Sequence, residues 1–110
     1  MKKIILKEKE TDIQAAICDY LALRKHFFWR NNSTPIFDAG KMVFRRMPKY
    51  AISGRPDIEI IKDGYYIGLE VKRLKTQQSD SQRLFEKLCK EAGGEYHVVR
   101  SILDVQELGL

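Results

Sequence analysis

Long apolar runs are missing from this 110-residue chain. No stretch approaches the ~20 consecutive apolar residues that a membrane-spanning helix needs, so no membrane partner is expected. Near the N-terminus the apolar run is only Ile4 to Leu6, too short for the core of a signal peptide, and a cytoplasmic protein is expected. Cysteine is scarce. Cys18 and Cys89 each lack a second Cys or His at ligand spacing, which points to reduced, packed thiols. His26 and His97 lack such partners too, so zinc ligation is not expected of either, and a hydrogen-bonded structural role suits His97. Repeats, low-complexity tracts and linkers are also absent, which leaves one domain over residues 1–110.

What is present is charge, unevenly placed. The net charge is +5, with 44% hydrophobic and 32% charged residues. Residues 24–55 carry Arg24, Lys25, Arg30, Lys41, Arg45, Arg46, Lys49 and Arg55 against the single acid Asp38. Phe27, Phe28, Trp29, Phe44 and Tyr50 are interleaved with them. A basic block with aromatics suits a polyanion, nucleic acid above all, and suits equally the solvated surface of a basic protein. Trp29 fits either base stacking or partial burial after a helix.

Periodicity supplies the elements. Ile13, Ala16, Ile17, Tyr20 and Leu21 recur at helical spacing, predicting a helix over 11 to about 26. FFWRNN reads as a short strand, NNSTPIFDAG as a loop, KMVFRR as a strand and MPKYAISGRP as a second loop. DIEIIK and YYIGLEVKR then form a hairpin about Asp63-Gly64. Ser79 with Gln82 makes a capping box for a helix that packs Leu84, Phe85 and Leu88 and ends at Gly93-Gly94. EYHVVR is a last strand, and Ser101 caps a short final helix. The expected class is α/β, a mixed sheet flanked by helices.

The hairpin holds an anomaly. A two-residue turn at Asp63-Gly64 pairs Ile58 with Leu69 and Asp57 with Glu70. Directly opposed side chains have Cβ atoms ~4.5–5.5 Å apart, so the two acids repel. Lys72 shares the face of Glu70, because strand side chains alternate. A divalent cation between the acids makes sense of the arrangement: Mg²⁺ takes few carboxylates and keeps its waters. It would polarise a phosphodiester and activate a water while Lys72 stabilises the developing charge. The same residues also suit a surface Glu–Lys pair with an incidental Asp at a strand entrance.

Pro56-Asp57, a gap of twelve, and Glu70-Val71-Lys72 resemble the PD-(D/E)XK nuclease signature. More narrowly, the chain resembles a stand-alone VRR-Nuc domain, the virus-type replication–repair nuclease. Glu10 and Gln14 match its E-x-x-x-Q element, Trp29-Arg30-Asn31-Asn32 its tryptophan–arginine–asparagine segment, and Gly54-x-Pro56-Asp57 its G-x-P-D element. Gln82-x-x-Phe85 matches its following helix, and Gly93, Gly94, Val98, Val99, Ser101 and Asp104 its closing pattern.

The resemblance implies a restriction-endonuclease-like core in the order α-β-β-β-β-α-β and DNA endonuclease activity dependent on Mg²⁺ or Mn²⁺. It implies metal ligation by Asp57 and Glu70, by the Val71 carbonyl, and by Glu10 directly or through water. Lys72 would act on the attacking water and Gln82 would edge the site. Glu10 equally suits the helix dipole, and Gln82 equally suits a cap. Arg30, Asn31, Lys41, Arg45, Arg46, Lys49 and Arg55 are the candidate DNA contacts. Stand-alone relatives are phage or bacterial proteins, so a bacterial or phage-infected cytoplasm is implied, and some are dimeric Holliday-junction resolvases. A homodimer acting on branched DNA is therefore expected; the rival reading is a catalytically silent nucleic-acid-binding module.

Overall fold

The computed structural model describes residues 9–31, 37–38, 43–44 and 48–110. The hairpin organises them. Asp63 and Gly64 take φ of 53° and 83°, the type I′ turn whose twist matches its flanking strands. That turn joins β4 (Ile58–Lys62) to β5 (Tyr65–Val71), with Lys62 opposite Tyr65 and Ile58 opposite Leu69, the register that a two-residue turn requires.

β1 (Phe27–Arg30) adds antiparallel to β4. α2 (Asp80–Glu91) then carries the chain across to β6 (Glu95–Val99), which lies parallel to β5. The main sheet runs β1-β4-β5-β6 and is mixed, as expected. One departure lies in the segment read as a loop. Phe37–Asp38 forms β2 and pairs antiparallel with β3 (Val43–Phe44) in a separate two-stranded sheet. Two residues flanked by turn formers are too few for period-two alternation to register.

Alternation gives the main sheet two unlike faces. Ile58, Ile60, Ile67, Leu69 and Val71 point to one side. There they meet Ile13, Ile17 and Leu21 of α1 (Glu10–Leu23), with Val105 of α3 (Ile102–Glu107) and the terminal Leu110. Gln14, not Ala16, shares the buried stripe of α1, because its Oε1 accepts the Arg30 Nε at 3.0 Å. Helix α1 also stops earlier than its pattern predicts. The His26 N–H returns to the Leu21 carbonyl and the Lys25 N–H to that of Ala22, a Schellman ending with Lys25 at φ 62° where glycine is usual.

The other sheet face is polar and carries α2. Ser79 and Gln82 form the expected capping box, and Gly93 and Gly94 close the far end. The expected packing of α2 is corrected: Phe85 is half-buried with its ring 6.0 Å from Tyr96, but Leu84 and Leu88 are exposed. A helix laid over a face that presents Tyr66, Glu70 and Tyr96 has little apolar surface to bury against. Among the described residues, no helix is long and apolar enough to cross a membrane.

Gly54 sets the distance between this helix and the strand entrance. It has φ +76°, and a Cβ there would lie 2.2 Å from the Ser81 carbonyl oxygen. Gly54→Ala should therefore destabilise the fold by more than the ~1–2 kcal/mol of a left-handed backbone, read as a lowered urea midpoint.

Candidate active site

The pair beyond Ile58–Leu69 in the hairpin register is Asp57 and Glu70, so both carboxyls rise on the polar face under α2. Asp57 is fixed from three directions. Its Oδ2 accepts the Val71 N–H at 2.8 Å, and its own carbonyl accepts the Asn31 N–H at 2.8 Å. The third tether is on its neighbour: Asn31 Nδ2 donates to the Pro56 carbonyl at 2.8 Å. Pro56 is buried over Gly68, where a Cβ would stand 2.8 Å from the proline Cγ. The missing side chain lets the segment lie flat on β5.

Glu70 is 1% exposed. Its Oε1 accepts Gln82 Nε2 at 2.9 Å and lies 3.8 Å from Lys72 Nζ; its Oε2 accepts the Tyr96 hydroxyl at 3.2 Å. Burial, followed by the hydrogen bond and negative charge of Asp57, pushes the Glu70 carboxyl up to about 9, against the pull of Lys72 and Tyr96.

Gln82 has two jobs at once. Its Oε1 accepts the Ser79 N–H at 2.8 Å to cap α2, and its amide nitrogen holds Glu70. Glu10 reaches the turn that follows β5. Its Oε1 accepts the Arg73 N–H at 3.3 Å and the Thr76 hydroxyl at 3.1 Å. Among the described residues, no three His, Cys, Asp or Glu side chains gather at one point. Val71 meets Asp57 through its N–H.

The candidate DNA contacts divide. Arg30 is exposed, yet its Nε is on Gln14 and its Nη2 3.3 Å from the Thr11 carbonyl. Asn31 is committed to Pro56 and Glu59, and Arg55 pairs with Glu59 at 2.5 Å. Lys49 is exposed, its Nζ 5.0 Å from the ring centre of exposed Tyr50. Lys41, Arg45 and Arg46 lie outside the described residues.

Two residues at the site escape a reading of the sequence. Tyr96 is one. The other is Glu59, buried on the face of Asp57, where it accepts from Trp29 Nε1 at 3.3 Å, Asn31 Nδ2, Arg55 and the Tyr66 hydroxyl at 2.7 Å. Burial alone would raise its carboxyl, but hydrogen bonds from Asn31, Tyr66 and Arg55 outweigh it and hold Glu59 below its usual range. The signal was available in Asp57-Ile58-Glu59-Ile60, where period two puts both acids on one side. Trp29 accordingly packs half-buried, its ring tilted against Phe27. His97 lies 3.6 Å from Glu95, and the His26 Nε2 is buried without a partner among the described residues.

Two facing carboxylates and one ammonium within 4 Å of the buried one suit a hard divalent cation, which takes one or two carboxylates and keeps its waters. Glu70 strengthens the fit: its burial disfavours the charged form until a cation compensates it.

The described residues form an α/β fold, a mixed four-stranded sheet with helices on both faces. Its fold is that of a solved structure described as a "VRR_NUC domain", similar over 90% of this chain and 91% of that one, with a TM-score of 0.62 and 20% identity. No protein-family model and no curated protein matches the sequence.

Glu70 makes stability depend on pH in a definite direction. Its folded pKa lies above that of an unfolded carboxyl, ~4.3, so the contribution is complete below that value and is lost as pH rises towards about 9. Metal-free protein should melt at progressively lower temperature from about pH 5 to about pH 9. Glu70→Gln, with no proton to lose, should flatten that trend in a thermal-melt series.

Proposed function

We propose that this protein is a divalent-metal-dependent DNA endonuclease with a PD-(D/E)XK core, acting on branched DNA as a homodimer. The observation that carries the reading is the juxtaposition of Asp57 and buried Glu70 across one strand pair, with Lys72 Nζ 3.8 Å from Glu70. Opposed acids on a buried face are a poor device for stability and a good one for holding a cation. The shared fold with a VRR_NUC domain supports it.

Asp57, Glu70 and the Val71 carbonyl would hold Mg²⁺ or Mn²⁺, which supplies Lewis-acid polarisation of a phosphodiester oxygen. The chain's own groups do the rest. The Val71 N–H aims Asp57, and Gln82 and Tyr96 fix both oxygens of Glu70, so the carboxyls do not reorganise as substrate arrives. Lys72 places a cation where phosphate charge develops and a donor where the attacking water is oriented. The basic residues of 24–55 add sequence-independent attraction for the DNA backbone.

Cleavage of branched, linear and single-stranded DNA, with and without Mg²⁺ or Mn²⁺, tests the activity. Asp57→Asn, Glu70→Gln and Lys72→Ala should each lower the metal-dependent rate by at least ~100-fold while the fold and DNA binding survive. Metal-independent binding with no turnover by the unaltered protein would leave the silent binding module instead.

The described residues of one chain offer one such site, and resolving a four-way junction takes two symmetric incisions, which a two-fold dimer supplies. Light scattering should therefore give a dimer at micromolar concentration. A monomer that cuts linear and branched DNA equally would reduce the activity to simple nicking.

A further inference from the structure

Just past β5 the chain reads Lys72-Arg73-Leu74-Lys75-Thr76, a cationic stretch outside the basic block of residues 24–55. The structure makes it a braced turn. The Thr76 N–H donates to the Arg73 carbonyl at 3.1 Å, and the one hydroxyl proton of Thr76 is shared between that carbonyl at 2.8 Å and Glu10 Oε1 at 3.1 Å. From the end of β6, the Arg100 guanidinium donates to the carbonyls of Arg73 and, at 3.2 Å, of Thr76. From the start of α1, Glu10 accepts both the Arg73 N–H and the Thr76 hydroxyl.

The bracing opposes a local preference. Lys75 holds φ 71°, the left-handed region that costs a residue with a Cβ ~1–2 kcal/mol. Residues held in such conformations persist only where their surroundings over-determine them, and they cluster at functional positions. The product is a fixed turn whose Arg73, Leu74 and Lys75 are all exposed, beginning one residue after the lysine that touches Glu70.

We infer that Arg73 and Lys75 form a second phosphate-gripping edge for nucleic acid, which holds the backbone beside the scissile bond, with Glu10 and Arg100 as positioning residues. The inference rests on the nuclease reading and deepens it. Consecutive Cα atoms are 3.8 Å apart, so both cations start within three residues of Lys72 and within side-chain reach of the phosphates flanking a bond cut there. Cations on phosphates release counterions, and a turn ordered before binding loses less entropy when it engages. Glu10 then acts through two hydrogen bonds to the turn.

Fluorescence anisotropy of labelled branched DNA across a salt series without divalent metal, with cleavage followed in parallel, tests this. The Arg73→Ala/Lys75→Ala double variant should show a slope of log affinity against log salt shallower by about 2, about 1 for each side chain. Its circular-dichroism melt should match that of the unaltered protein. Glu10→Ala, which frees the turn, should weaken binding by about tenfold. Glu10→Gln keeps an acceptor oxygen and should recover most of that loss; with no divalent metal present, loss of a metal ligand would weaken binding in neither variant. An unchanged slope in the double variant, or full affinity in Glu10→Ala, overturns the inference. Salt-insensitive binding by the unaltered protein would instead overturn the nucleic-acid reading itself.

Discussion

The antiparallel pairing of β4 with β5 is the constraint on which everything else here depends. With Lys62 opposite Tyr65, Asp57 must stand opposite Glu70, and Ile58 and Ile60 must share a face with Ile67, Leu69 and Val71. A slip of one residue would carry every one of those side chains to the wrong side of the sheet. The register therefore decides the core and the site at once. The isoleucines bury against α1 and α3, which gives the hairpin a hydrophobic reason to stay in register while its acids oppose one another on the far side.

That far side is electrostatically expensive, and its two buried acids resolve the expense in opposite ways. Glu59 is saturated: donors from Trp29 of β1, from Asn31 just beyond it, from Arg55 before β4 and from Tyr66 of β5 hold its carboxyl below the usual range and tie those segments together. Glu70 is under-compensated. Gln82, Tyr96 and Lys72 surround it, but burial and Asp57 outweigh them and push its carboxyl up. Two carboxyls on one face thus have environments that push their proton affinities in opposite directions.

The remaining elements act on the site through single side chains. Helix α2 buries little, yet its first turn delivers Gln82 to Glu70, and Gly54 admits that turn close to the strand entrance. β6 contributes Tyr96 to Glu70 and, just beyond its end, Arg100 to the turn after Lys72. α1, whose apolar stripe fills the opposite face, sends Glu10 round the end of the sheet to the same turn. The polar face is in this way clamped by elements whose stability is generated elsewhere.

Features that depend on near neighbours in the chain were legible in the sequence. The Asp63-Gly64 turn, the facing acids, the Ser79–Gln82 box, the Gly93-Gly94 stop and the Ser101 cap follow from period two, turn chemistry and capping, all settled within a few residues. The early end of α1 was hidden because Lys25 takes the place usually marked by glycine. The partners of Glu10, the saturation of Glu59, the burial of Gln14 and the exposure of Leu84 and Leu88 were decided only by the tertiary structure. Each depends on which distant surface a side chain meets, as Glu10 meets Thr76 across 66 positions of sequence. Periodicity names the face on which a residue lies; only the packed sheet and helices determine what stands opposite it.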